Sequence, residues 1–350
     1  MKIDEIGHVT TEIFSMKKLI KILTALIPNK RWRHYLRQYF SDGGPGGGAS
    51  SGKMRLYYCT EQNFGDMLNR NLMQYFNCPY TFSHAMFADL CCIGSMMEGL
   101  LLTDKQGCTR RPIHVYGTGF IKAPEQSDEQ FNRPVIIHAL RGKKSLERCE
   151  QILKKKLPDV VLGDPGLLIR RIFPNTGNKK IYDVGLICHI ADTPQELHKH
   201  LNFTPAIKTT QLDITLPPEE FVARLSECKF ILSSAMHGLI CADSLGIPNA
   251  HIILSDKVIG NEYKYRDYYS VFSHAEYTPI YLNHTTLSDN DIPRLTEKYH
   301  ISSEEIDMIC DRLIQAFPTL TPTELSCSSS FQPSRSQQPN SGKTTFLHCR

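Results

Sequence analysis

Along the middle of the chain, short runs of apolar and β-branched residues recur. Each is followed by a Gly- or Ser-bearing turn and then by polar or helically patterned sequence. RLYYC (55–59), DLCCI (89–93), HVYGTGF (114–120), VIIHAL (135–140), VVLG (160–163), DVGLICHI (183–190), FILSS (230–234) and NAHIIL (249–254) all have this form. Apolar runs of this length suit strands covered on both faces, which is the environment of a parallel sheet. Between them, DMLNRNLMQYF, KKSLERCEQILKKK, PPEEFVARLSEC and GLICADSLGIP read as helices. The third opens on prolines and two glutamates, as a helix N-terminus should. Alternation of strands and helices predicts the α/β class. A break near LPDVVLGDPGLL (157–168) divides it into two Rossmann-like domains, residues 54–157 and 158–317, facing one another across a cleft.

The ends differ in kind. In residues 1–41, Met16, Leu19, Ile20, Leu23, Leu26 and Ile27 follow helical spacing with Lys17, Lys18 and Lys21 off the stripe. KRWRHYLRQYF then interleaves basic residues with Trp32, Tyr35, Tyr39 and Phe40. This basic amphipathic arm suits an anionic membrane surface, and equally a helix packed on its own domain. Residues 42–53 form a Gly-rich linker, and residues 318–350, rich in Ser, Pro and Gln, read as a disordered tail.

Net charge is only +4, too little to point to nucleic acid. The 12 cysteines contain no CxxC and no zinc-site spacing, so reduced thiols of a cytoplasmic protein are expected, with no metal. No apolar run approaches the roughly 20 residues that cross a bilayer, and the lysine-broken N-terminus does not read as a signal peptide.

Ligands of open α/β sheets sit beyond the carboxyl ends of the strands, and the unusual residues of this chain fall there. NFGDMLN places Asn63, Gly65 and Asp66 at a strand-to-helix turn whose free N–H groups favour an anion. CIGSMM with Gly94 and Ser95, and VYGTGF with Gly117, repeat the arrangement. None is a GxGxxG or Walker loop, so nucleotide binding gains no support. Arg141 follows a buried strand, where its planar fork suits a carboxylate or phosphate, and where a surface arginine opening the next helix is an equal reading. In LSSAMHGLIC (232–241), Ser233, Ser234, His237 and Gly238 interrupt an otherwise apolar strand-to-helix junction. A histidine on the first turn of a helix is disfavoured as imidazolium by the dipole and favoured by a nearby anion, which suits proton transfer.

NFGDMLN, IGSMM, VYGTGF, ALRGKKS, VLGDPGLL, SSAMHGLICADSLGIP and KYRDYYS stand in the order found in the polysaccharide pyruvyl transferase family, and residues 55–285 resemble it, most closely its exopolysaccharide-assembly branch. The resemblance implies a GT-B-like fold of two Rossmann-like domains. It implies transfer of the pyruvyl group of phosphoenolpyruvate onto two hydroxyls of a saccharide, with Arg141 matching the donor-binding arginine and His237 the catalytic histidine. No cofactor is implied beyond phosphoenolpyruvate as donor substrate. A lipid-linked acceptor would give the basic arm a use at the inner face of the plasma membrane. Many members carry a basic residue just before the His-Gly pair, where this chain has Ala235 and Met236. Lys264 or Arg266 is the expected replacement. Two other readings share the frame: a nucleotide-sugar glycosyltransferase, for which Glu262 and Asp267 are available carboxylates, and a non-catalytic sugar-binding relative.

Overall fold

The computed structural model describes residues 53–103, 111–177, 179–274 and 276–319. The basic arm, the Gly-rich stretch at 43–52 and the tail beyond residue 319 lie outside the described residues. Among the described residues no helix is long and apolar enough to cross a membrane.

The apolar runs become strands of two parallel sheets. β1 (Met54–Tyr57), β2 (Tyr80–Phe82), β3 (Leu90–Cys91), β4 (Ile113–Tyr116), β5 (Val135–Leu140) and β6 (Val161–Leu162) form the first, in the order β2-β1-β3-β4-β5-β6. β7 (Tyr182–Ile187), β9 (Thr209–Leu212), β10 (Cys228–Ser233), β11 (Asn249–Ile253) and β12 (Ile280–Tyr281) form the second, ordered β12-β11-β10-β7-β9. β8 (Leu201–Phe203) pairs separately with β13 (Thr285–Leu287). β6, which follows the break read at 157–168, hydrogen-bonds to β5 as the edge of the first sheet.

The connecting helices are α1 (Phe64–Tyr75), α2 (Lys143–Leu153), α3 (Ile169–Ile172), α4 (Pro194–His200), α5 (Pro218–Ser226), α6 (Met236–Ser244), α7 (Tyr263–Tyr269), α8 (Asp291–Glu297) and α9 (Ser303–Ala316). Local sequence accounts for the start of α1. Asn63 caps α1 by accepting from the Asp66 N–H, and Phe64, Leu68 and Leu72 recur every four residues on its buried face. α6 is buried almost all round, with the apolar Leu239, Ile240, Cys241 and Ala242 at its middle.

One apolar core runs from the first sheet into the second. It joins Leu56, Phe64 and Leu68 to Ile187, Ile231, Leu239 and Ile309. α9 returns to the first sheet, where the Tyr116 hydroxyl donates to the Leu313 carbonyl at 2.7 Å.

Strand order fixes where a ligand can sit. In the first sheet the chain leaves β1 for β2 on one side and β3 on the other, so the loops after β1 and β3 part there. In the second, β9 and β10 flank β7, and the loops after β7 and β10 part in the same way. Such switch points leave a crevice at the carboxyl ends of the strands. The four loops carry Asn63, Gly94, His189 and Ser234 respectively.

Candidate active site

Loops from both switch points enclose a cavity of about 320 Å³, lined by Asn63, Asp66, Gly94 and Ser95 on one side and His189, Met236, His237 and Lys264 on the other. Both α1 and α6 begin at this cavity. The Ala235 side chain cannot cap α6, and the N–H groups of Met236 and His237 have no partner among the described residues. Free N–H groups at the positive end of a helix dipole form an anion site.

His237 is fixed by contact with α1. A Cβ built on Gly65 would lie 2.0 Å from the His237 Nδ1, so only glycine permits the approach of the imidazole. The His237 Nε2 is buried without a hydrogen-bond partner. Burial, then the charges of Lys264 and Arg141, pushes the imidazole down to about 3, so it is neutral at physiological pH. A neutral imidazole with an open ring nitrogen can accept a proton.

Lys264, on the first turn of α7, is 6% exposed and forms no salt bridge or hydrogen bond with a described residue. Burial and the neighbouring Arg141 lower its ammonium to about 8. An ammonium held in this way, short of a counter-ion, is a strong place for an anionic ligand.

What holds Lys264 in place lies one helical turn further on. Asp267 pairs with Arg141 at 3.0 Å, and both side chains are fully buried. The Asp267 carboxylate also accepts from the Ser145 N–H at 2.8 Å and the Ser145 hydroxyl at 2.6 Å, so it caps α2. A Cβ on Gly142 would lie 1.8 Å from the Asp267 carbonyl oxygen, which is why α2 and α7 meet at a glycine. The Tyr265 hydroxyl donates to the Ser234 carbonyl at 2.7 Å and that of Tyr268 to Asp243 at 2.8 Å, tying α7 to the second sheet as well.

Asp66 and His189 also line the cavity, beside Glu61 and Lys257. Asp66 is pushed up to about 6 by burial, against the pull of its hydrogen bond from Asn63. His189 accepts the Ala191 N–H on Nδ1 at 3.1 Å, and burial followed by Lys264 lowers it to about 4.

The residues singled out in the sequence fall into three sets. Asn63, Asp66, Gly94, Ser95, His237 and Lys264 line the cavity, with Gly65 packed against His237. Arg141 stands behind that wall: its guanidinium donates to the Ser95 hydroxyl at 2.8 Å and is otherwise taken up by Asp267 and the Phe120 carbonyl. The rest serve the scaffold or another face. Ser233 accepts the Ala235 N–H, Ser234 bridges the His189 N–H and Asp192, and Gly117, at φ +74°, lies under Pro165. A Cβ on Gly238 would meet the Ser233 hydroxyl at 2.5 Å. Arg266 is half exposed and paired with Glu262, away from the cavity. His189 carries no signal of its own in the sequence, because it lies within the apolar run DVGLICHI (183–190), just past the end of β7. Cys59 and Lys257, also in the wall, carry no sequence signal of their own.

Comparison with known proteins bears on the same stretch. An uncharacterized protein of Acanthamoeba polyphaga mimivirus is 28% identical over 167 residues, which is 43% of this chain and 55% of that protein. The chain thus spans about half the length of this curated relative. Residues 109–256, which carry Arg141, His189 and His237, match the polysaccharide pyruvyl transferase family.

Proposed function

We propose that the chain transfers the pyruvyl group of phosphoenolpyruvate to two hydroxyls of one saccharide ring, forming a cyclic ketal and releasing phosphate. The observation that carries this reading is the unpartnered Lys264 ammonium, in one cavity with the open N–H groups of α6 and the open Nε2 of His237. A donor bearing both a phosphate and a carboxylate needs that much positive potential. The two sheets support a GT-B-like frame of two Rossmann-like halves around the cleft, with β6 counted in the first because it pairs with β5.

The reaction joins C2 of the donor to two sugar oxygens and breaks its bond to the phosphate oxygen. Of the two hydroxyl protons lost, one ends on the donor methylene, which becomes methyl, and the other on phosphate. Neutral His237 accepts a proton from the attacking hydroxyl. Asp66, raised toward neutrality by burial, is driven higher by an adjacent anion and supplies the methylene proton. Environments that push an imidazole down and a carboxyl up assign one as base and the other as acid. Lys264 and the helix N–H groups hold the phosphate as charge builds on it.

The test is phosphate release from phosphoenolpyruvate with a panel of neutral saccharides. Release that requires a saccharide supports the reading; none with any acceptor sinks it. Within that assay Gly65→Ala, which forces the imidazole aside, is expected to lower turnover about 100-fold, the scale of an ångström-sized misplacement. Wild-type turnover in this variant would mean that His237 does not act from its observed position.

A further inference from the structure

A second cavity, of about 340 Å³, adjoins the first, and its size falls in the range of about 300–1,000 Å³ usual for small-molecule sites. Successive residues line the two in turn. His189–Ala191 face the first and Asp192 the second; Ser234 faces the second and Ala235–His237 the first; Lys264 faces the first and Tyr265 the second. A single thickness of chain therefore separates them.

Their charged groups differ: the first cavity has Lys257 and Lys264 beside Glu61 and Asp66. No lysine or arginine lines the second cavity, whereas Asp192, Asp256 and Glu262 do. Asp192 is 7% exposed and accepts from the hydroxyls of Ser234 at 2.7 Å and Ser255 at 2.6 Å, with no cation on it. Glu262 accepts from the Tyr281 hydroxyl and is paired with Arg266, which stands outside the lining. The buried Asp192 carboxylate disfavours a phosphate or carboxylate beside it, while hydroxyl donors are satisfied by such a wall.

Aromatic surface completes the lining. The His251 ring stacks on Tyr265 with centroids 3.8 Å apart and binds the Tyr277 hydroxyl through Nδ1 at 2.7 Å. The residue is 7% exposed, and its Nε2 has no hydrogen bond among the described residues. Tyr281, 65% exposed on edge strand β12, offers an open ring at the rim. Flat rings beside hydroxyl acceptors match a ligand with C–H faces and O–H edges.

We infer that this cavity is a saccharide subsite, taking uncharged sugar units next to the one that receives the pyruvyl group; its place in the reaction rests on the donor reading above. The acceptor then runs over the shared wall, with its reacting ring at His237 and its neighbour on Tyr281. Acceptors longer than one ring should be preferred.

The experiment is saturation-transfer NMR on the full chain without donor, using neutral galactose, glucose and mannose series from monosaccharide to tetrasaccharide. Binding is expected to strengthen from one ring to two in at least one series. Tyr281→Ala is expected to weaken the longer ligand about tenfold and Asp192→Asn similarly, while Tyr281→Phe, which keeps the ring, retains most of the affinity. Tyr281 is a surface position, so its variants test the site without touching the core. Equal affinity in wild type and Tyr281→Ala, displacement of the sugar by inorganic phosphate, or no binding in any series overturns the inference. The two readings fail separately. Sugar binding as expected with no phosphate release against any acceptor sinks the donor reading and leaves the subsite. Phosphate release with sugar binding indifferent to Tyr281 and Asp192 does the reverse.

Discussion

Replacing His237 with alanine is expected to lower acceptor-dependent phosphate release by about 10²–10⁴-fold, the usual contribution of a positioned general base. The fold should survive, because the ring takes no part in a hydrogen bond that holds the scaffold and Nε2 has no partner to lose. The donor KM should change little, since the α6 N–H groups and Lys264 remain. Acting mainly on kcat separates this variant from one that loses binding. The pH profile sharpens the test. Free His237 lies near 3 because burial and two cations oppose its charge, so a bound anion must raise it. Titration of the His237 resonance is therefore expected to move upward when phosphoenolpyruvate is added. Turnover unaffected by the substitution would remove His237 from the proton path and leave Asp66 as the remaining candidate.

Arg141→Ala is expected to act on stability. The Arg141–Asp267 pair is fully buried on both sides, and removing one partner of such a pair costs about 3–5 kcal/mol because the other charge is left uncompensated. That is a large share of the margin of a domain. Urea unfolding should show the loss. Arg141→Met combined with Asp267→Asn should recover part of it, since no isolated carboxylate is left behind. Where the single variant still folds, α7 loses its tie to the first sheet, Lys264 shifts, and the donor KM rises. Unfolding free energy equal to wild type, with only the donor KM changed, would instead put the guanidinium in direct contact with the donor. The resemblance implies that direct role; in the structure Arg141 reaches the cavity through Ser95 and through the helix that bears Lys264.

Most of the frame was legible because its signal is local. Each central strand is an apolar run, and the turns after them carry the residues that line the cavity. His237 stood out as an imidazole in a greasy junction. What was not legible depends on pairs distant in sequence. Nothing near Arg141 announces Asp267, 126 residues away, and nothing near Gly65 announces the imidazole it makes room for. Lys264 and Arg266 are equivalent by position in KYRDYYS. Only the helical phase of α7, set by Asp267, turns Lys264 inward and leaves Arg266 with Glu262. The short strands β8, β12 and β13 have two or three residues each, too few to show a period.

Calorimetric titration of phosphoenolpyruvate into the full chain tests the central claim most directly. The ammonium of Lys264, lowered to about 8, is charged below that pH and neutral above it, so affinity should fall as pH rises from 7 to 9. Lys264→Met should bind at least tenfold more weakly at pH 7 and lose that pH dependence. Equal affinity in the two proteins, or binding that ignores pH across this window, would contradict a donor site built on Lys264.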